Sequence, residues 1–584
     1  MRPLDVRLVR NGVILVGVAF VILLLTVART GALPRPQLAP AFDAEAATAT
    51  AAGLAREFPT RVPGTSTARE AVASLRERLD LDRLGAREVV WREDLPGLGK
   101  VELRNLVVVV RGTSPETIVL VANHDNGGRP GSRDDAAAAA ALLELSRAYA
   151  RSGTTAARPV PLHTLVFLFA DAGTYGSRGL RHFLRTTPLR DDVALVLALD
   201  GLGAAVPVRL DSTSAARRST APFIVRTARE RISEETGRSP LRLGLADQLV
   251  SLALPYGEGA QAAALAEGVP AIRLGSFADS VAPANARPDL RRLPALGRAS
   301  ETLLQSFDSA ISLRTPTAAF LHLDDRAIRG WALALLLVAG AVPFVLGTID
   351  LVSRCRRLGI DLQRGRAAFT RRLAGWVAAV VAAFVAAFAA VLPGNGEPLL
   401  SAAGPLADLH WATFLAFPLV AVLVTALLTR GRVRATPDDA SALADYTVAF
   451  AGLAACAVLT AIANPYALVF VLPSLYAWFW LPQLRDRPQW IADVLVGFGF
   501  AGLAFAIVGL GRIAGAGLDA PLFGIAMLTT RTVPLLQTAA FVLWLAAATQ
   551  VVAVTAAERE RRISRGEAPG AQTRRVQGPL RSRS

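Results

Sequence analysis

Two cysteines, one lysine and five histidines are all that 584 residues supply of three residue types that often do chemistry. Cys355 lies in a basic stretch and Cys456 in an apolar one, so the long central segment has no cysteine. That excludes a disulfide framework there, and with it a thiolate metal site or a cysteine nucleophile. Any metal in that segment would have to be held by His, Asp and Glu. With Lys100 as the only lysine, the formal net charge of +16 is carried by arginine. The arginines gather at 354–372, 430–434 and 559–583, each beside an apolar run. This is how charge flanks membrane spans, where anionic lipid is the expected contact; it is not a nucleic-acid footprint, and no nucleic-acid partner is expected. Ionisable residues are also scarce inside the apolar runs, where Asp350 and Asp493 lie near segment ends. Coupled transporters carry such groups in mid-membrane, so a packing and anchoring bundle is the expected role of these runs.

What the chain has in quantity is apolar sequence. Apolar residues make up 52% of it and the mean hydropathy is +0.40. A bilayer span needs about 20 apolar residues in succession, and such runs occur at the N-terminus and repeatedly after residue 330. Residues 12–29 follow Arg2, Arg7 and Arg10, a layout shared with signal peptides. The run is longer than a usual signal core and no A-x-A cleavage site follows, so an uncleaved signal anchor is expected. Seven further spans are expected near 331–352, 373–393, 409–429, 445–464, 467–483, 490–511 and 532–555. Asn464-Pro465-Tyr466 separates two of these so closely that a re-entrant segment is the alternative there. Placing the N-terminus in the cytoplasm puts each arginine-rich loop and the tail inside, and leaves the outer loops, near 394–408 and 512–531, nearly free of positive charge.

The expected layout is therefore an anchor over 1–30, a Pro- and Ala-rich linker over 31–50, and an extracytoplasmic domain over 51–325. A multi-span domain over 326–556 and a basic cytoplasmic tail over 557–584 complete it. The preference for arginine over lysine, with abundant alanine, suits a GC-rich genome, and a bacterial plasma membrane is the expected location.

In the outer domain, short apolar runs read as buried strands: 105–111 (NLVVVVR), 117–122 (TIVLVA), 164–170 (TLVFLFA) and 193–199 (VALVLAL). Helical segments intervene, over 135–150 and after Tyr175, which predicts an α/β fold with a mostly parallel sheet and helices on both faces. Functional groups in such sheets collect beyond the carboxyl ends of the strands. His124, Asp171 and Asp200 each follow one of these runs. Between the second and third runs lies 123–147, NHDNGGRPGSRDDAAAAAALLELSR: a histidine, a glycine-rich loop, and an acidic pair opening a helix. Taken singly, Asp134 or Asp135 reads as a helix cap and the histidine as a core residue.

Taken together, these segments resemble metallopeptidase family 28, the co-catalytic di-zinc aminopeptidases and carboxypeptidases, over about residues 52–310. The family pattern is H-x-D after a strand, N-D-D at a helix start, and D-G-E-E-x-G-x-x-G-S after the next strand. FPTRVPGTSTARE (58–70) is similar to its P-R-x-x-G-S opening segment and GVPAIRLG (268–275) to its G-I-P-A strand. A following multi-span bundle is similar to the layout of the endoplasmic-reticulum and vacuolar members. The resemblance implies a zinc-aminopeptidase-like fold with His124, Asp134 and Asp200 as one metal's ligands. It places Asn126 where an aspartate orients the histidine, its carbonyl still able to accept the ring N–H.

The second half of the family's site has no counterpart. Aligning DAGTYGSRGLRHF (171–183) without a gap puts Gly173 at the general-base glutamate and Thr174 at the second metal's glutamate. The last histidine ligand, expected downstream, has no candidate in GSFADSVAPANARPD (275–289), and the family's S-D-H aligns with Gly259-Ala260-Gln261, which makes Gln261 a lost-ligand position with Glu258 the nearest acidic residue. His163, His182 and His322 lie in other contexts. The resemblance thus implies at most one Zn2+, with the second zinc site lost. Loss of a general acid–base group alone costs about 10²–10⁴ in rate. The expected function is a membrane-anchored pseudopeptidase that binds peptides or a membrane-protein partner. The alternatives are an active aminopeptidase-type hydrolase with a reduced, single-metal site, and a transport or lipid-handling bundle with an accessory outer domain.

Overall fold

The computed structural model describes residues 6–128, 135–150, 159–203, 207–275, 289–389, 391–392, 411–430, 439–484 and 488–564. In chain order the strands are β1 (Ala28–Arg29), β2 (Arg87–Leu95), β3 (Gly99–Val110), β4 (Ser114–Asn123), β5 (His163–Ala170), β6 (Val193–Asp200), β7 (Arg209–Asp211), β8 (Ala271–Gly275), β9 (Phe320–His322) and β10 (Arg326–Arg329). The first helix, α1 (Val6–Leu25), precedes the domain. The domain's helices are α2 (Ala44–Glu57), α3 (Ser66–Leu81), α4 (Ala136–Ala150), α5 (Arg178–Thr186), α6 (Pro222–Thr236), α7 (Leu245–Ala253), α8 (Gly259–Ala266) and α9 (Leu293–Asp308).

Seven of the strands form one sheet in the order β2-β3-β5-β4-β6-β8-β7. Its centre, β5-β4-β6-β8, is parallel, while β2, β3 and β7 pair antiparallel at the flanks. Strand side chains alternate between faces, and two cores result. Leu106, Val108, Ile118, Leu120 and Ala122 point to the layer containing α2, α4 and α9. Val107, Val119 and Val121 point to the layer containing α5 and α8. Covering on both faces is why the central strands read as unbroken apolar runs rather than alternating ones. The segment expected as a linker is bonded to this domain: the Leu33 amide donates to the Thr227 hydroxyl at 2.9 Å and the Ala41 amide to Glu301 at 2.9 Å.

After the domain come α10 (Gly330–Arg357), α11 (Gln363–Phe388), α12 (Trp411–Thr429), α13 (Asp439–Ala463), α14 (Leu468–Phe479), α15 (Gln489–Gly499), α16 (Ala501–Ile513), α17 (Ala520–Thr529) and α18 (Leu535–Ser564). Among the described residues, seven helical segments here are long and apolar enough to cross a membrane, and they coincide with the seven spans expected. The chain is a membrane protein. One of these segments, Gln489–Ile513, is broken between α15 and α16. Gly499 lies against the Trp478 indole and a β-carbon there would sit 1.9 Å from Nε1, so only glycine fits. The 512–531 stretch, expected to be a plain loop, contains the buried helix α17. At ten residues it is too short to span and it lacks the polar face that marks a surface helix.

Two features join the domain to the bundle. β1, leaving α1, pairs with β10, which runs into α10, so the first two apolar helices meet at a small sheet. Gly12 of α1 packs directly on Pro343 of α10. Further on, α7 lies on the bundle: Arg512 pairs with Asp247 at 2.9 Å, and the buried Asn464 amide donates to the Leu252 and Ala253 carbonyls at 3.0 and 2.9 Å. Asn464 thereby satisfies C-terminal carbonyls of α7 that have no partner within the helix. The Asn-Pro-Tyr break between two spans is thus a docking point.

Candidate functional site

Strand pairing brings the expected strand ends together. Ala170 pairs with Asn123 and Ala122 with Leu199, so His124 and Asp171 just beyond their strands and Asp200 at the last position of β6 share the carboxyl ends of three adjacent parallel strands. His124 is buried. Its Nε2 lies 2.8 Å from the Arg104 carbonyl, which can only accept, so Nε2 carries the proton and Nδ1 is the bare nitrogen. Nδ1 has no hydrogen-bond partner among the described residues. The Arg104 amide in turn donates to Asp171 at 2.8 Å, and Asp171 accepts from the Ala172 amide at 2.8 Å.

Asn126 does not orient the histidine as expected. Its carbonyl accepts from the Arg61 amide at 2.7 Å and the Gly128 amide at 3.1 Å, and its amide donates to the Pro59 carbonyl at 2.9 Å. The competing donor is local: the 58–61 segment folds over the end of β4, and the Arg61 guanidinium also donates to the His124 carbonyl at 2.7 Å. Asn126 therefore fastens the opening segment to the strand end.

Asp134 lies outside the described residues. Its neighbour Asp135 is buried, accepts from the Gly201 amide at 2.8 Å, and lies 3.4 Å from the Asn123 amide, tying the start of α4 to the ends of β4 and β6. Asp200 is engaged as well. Its carboxylate accepts from the Arg273 guanidinium at 2.7 Å, and the same guanidinium donates to Asp211 at 2.9 Å. Burial alone would raise the Asp211 pKa, but Arg209 and Arg273 outweigh it and hold the carboxylate below its ordinary range.

The base and second-metal positions are filled in their own way. Gly173 opens a short turn preceded by Ala172 (φ 51°) and followed, after Gly176, by Ser177 (φ 55°), both left-handed without being glycine. Such backbone strain often accompanies functional sites. A β-carbon on Gly173 would lie 2.0 Å from Asn123 Cγ, so the asparagine occupies the space in which a glutamate would begin. Thr174 donates its hydroxyl to Asp125 at 2.8 Å, and the Gly173 amide donates to the same carboxylate at 2.6 Å. Asp125 is fully buried; that burial, with Asp171 nearby, raises its pKa. Gln261, on the first turn of α8, donates to the Glu258 carbonyl at 2.7 Å and leaves its own Oε1 without a partner among the described residues. It shares a cavity with Asp211, Glu258, Tyr256 and Arg273, and Ile513 of the bundle forms part of the wall.

Two of the three expected zinc ligands can be tested against this geometry. His124 offers a bare nitrogen, while one oxygen of the Asp200 carboxylate accepts from a guanidinium. Among the described residues no three His, Cys, Asp or Glu side chains are grouped to hold a metal. His124 and Asp200 do not by themselves make a zinc site; Asp134 and residues 276–288 lie outside the described residues. The sequence pattern does not single out Asp125 or Arg273, and it offers Asp135 only as a helix cap. Of these, Arg273 had a signal, a lone charge inside an otherwise apolar strand.

Residues 105–241 match the sequence model of Peptidase family M28. A Schizosaccharomyces pombe protein named "Putative endoplasmic reticulum metallopeptidase 1" is 38% identical over 107 residues, a match covering 17% of this chain and 12% of that one. The chain therefore aligns with only a small part of that relative's length. Among solved structures, a glutaminyl cyclase from an Acidobacteriales bacterium aligns over 47% of this chain and 97% of its own, at 15% identity and a TM-score of 0.37. A leucine aminopeptidase precursor from Bacteroides thetaiotaomicron aligns over 46% and 98%, at 18% identity and a TM-score of 0.35. Likeness this distant says nothing about ligand or activity. The sequence match is the stronger finding, and through it the chain resembles peptidase family M28, whose signature it carries in an α/β domain that continues into a bundle of apolar helices.

Proposed function

We propose that this protein is a membrane-anchored pseudopeptidase, whose M28-like domain binds a peptide or a membrane-protein partner without cleaving it. The observation that carries this reading is the contact between Gly173 and Asn123. At the position the family gives to its general base there is no side chain, and the space beside it holds an asparagine. Thr174 and Gln261, at the expected second-metal positions, are neutral and bonded within the fold. Removing the proton-transferring group and an electrostatic centre together takes away two of the terms on which hydrolysis by this family's site depends.

The test is to incubate the purified full chain with a mixed-sequence peptide library and excess zinc, then identify retained and trimmed peptides by mass spectrometry. Retention without trimming is expected; N-terminal trimming lost in His124→Ala would contradict the reading. The one observation favouring a reduced hydrolase is the bare Nδ1 of His124, since a neutral imidazole nitrogen is a competent metal ligand.

The charge pattern of the loops supports an extracytoplasmic domain with both termini in the cytoplasm of a bacterial cell. A reporter fused after residue 325 should then be active only outside the cytoplasm; cytoplasmic activity would reverse the orientation.

A further inference from the structure

We propose that the guanidinium of Arg273 stands in for a metal ion beside Asp200, so that the cleft of this domain is closed by an ion-pair cluster and folds without zinc. The inference deepens the pseudopeptidase reading and rests on the same M28 resemblance.

Arg273 is the middle residue of β8, a strand buried along its whole length, and its side chain is 3% exposed. A buried arginine is strongly destabilising unless its charge is matched. Here the match comes from both sides of the strand. Asp200 ends the neighbouring β6 and Asp211 ends β7, and the guanidinium bonds to them at 2.7 and 2.9 Å. Arg209 bonds to the other oxygen of Asp211 at 2.7 Å. Two guanidinium groups thus face two carboxylates, so each of these buried charges meets an opposite one from the chain itself.

The guanidinium occupies one oxygen of Asp200, and a dication bound through the other would place a second positive centre beside it in the same buried setting. Like charges at such range in a buried setting repel strongly.

The opposite wall is fitted to the arginine. Gly259 opens α8 at φ +83°, and a β-carbon there would lie 2.7 Å from an Arg273 nitrogen. Gly259-Ala260-Gln261 aligns with the family's S-D-H. In this chain that segment has no imidazole at its third position and no side chain at its first. Glycine leaves the room into which the guanidinium extends, and Gln261 presents a neutral amide to the same cavity. The departures from the family pattern at 259 and 261 thus have one explanation. Both accommodate a cation that belongs to the chain.

The test uses the full chain purified in detergent without chelator. Metal content by mass spectrometry should be near zero for zinc, manganese and cobalt. The melting midpoint should be unmoved by excess zinc or by EDTA, since a ligand that does not bind the native state cannot stabilise it. Arg273→Met should lower the midpoint by roughly 10 °C by stranding two carboxylates. Adding Asp200→Asn and Asp211→Asn to it should recover much of that loss. Should Arg273→Met fail to fold, Arg273→Lys keeps the charge and should give a smaller drop, again with no zinc bound.

Stoichiometric zinc in the native chain, lost in His124→Ala and stabilising on addition, would overturn the inference. Zinc without peptide turnover would overturn it and leave the pseudopeptidase reading standing. Turnover without zinc would do the reverse.

Discussion

Replacing Gly173 with alanine should destabilise the domain by roughly 2–4 kcal/mol, an overpacking cost with little room for relaxation. The reason is steric and local. Gly173 is not among the residues with positive φ, so alanine meets no backbone objection there. What it meets is the Asn123 side chain, all three of whose terminal atoms would lie within 2.4 Å of the new β-carbon. Asn123 cannot swing away freely, because its amide lies against the buried Asp135 carboxylate.

Shortening Asn123 to alanine should cost stability on its own. Combined with Gly173→Ala it should cost less than the two changes summed, with a coupling of about 1–3 kcal/mol in a double-mutant cycle read by chemical denaturation. Additive effects would show that the two side chains do not compete for the same space. The consequence for function is direct: Gly173→Glu carries the same β-carbon, so restoring the family's glutamate should unfold the cleft before it restores a base.

The second large effect is a dependence on pH. His322 is buried at the end of β9 with its amide donating to Gln248 at 2.7 Å. Burial, reinforced by the positive charge of Arg242, lowers its pKa from 6.5 to about 4. The unfolded chain binds a proton at this imidazole below pH 6.5 and the folded chain does so only near pH 4. Between those values the unfolded state holds more protons, so stability rises with pH. The contribution is fully present above about pH 6.5 and is lost as pH falls towards 4, amounting at most to about 3 kcal/mol. His322→Gln should remove this slope. Denaturant unfolding of both forms at pH 7.5 and pH 4.5 should show wild type losing stability relative to the variant; parallel losses would exclude His322 as the source.

The parts of the fold that were legible in the sequence are those set by local pattern. Spans of some 20 apolar residues announce themselves, and all seven in the C-terminal half fall where expected. The strand ends were legible too, because a polar residue after a buried run is a local event, and His124, Asp171 and Asp200 do lie at the ends of adjacent strands.

What escaped depends on distant partners. Nothing local to Asp200 shows that Arg273, 73 residues later, bonds it, and Asp211 lies 62 residues from that arginine. Asn126 reads as a partner of His124 until the Arg61 backbone, 65 residues earlier, takes its carbonyl. Asp125 is the middle residue of the H-x-D pattern, to which that pattern gives no role. It is the carboxylate that holds the Gly173–Thr174 turn in place. The helix α17 was missed for a different reason: ten apolar residues satisfy neither the length of a span nor the amphipathic pattern of a surface helix.

The most direct test of the central claim is a single-turnover assay. The purified full chain, in excess over a fluorogenic aminoacyl substrate and supplied with zinc, is followed for hours beside His124→Ala. The account predicts identical traces at the rate of the protein-free control. A product burst in the wild-type chain that is absent from His124→Ala would show that the cleft still hydrolyses peptides, and would contradict it.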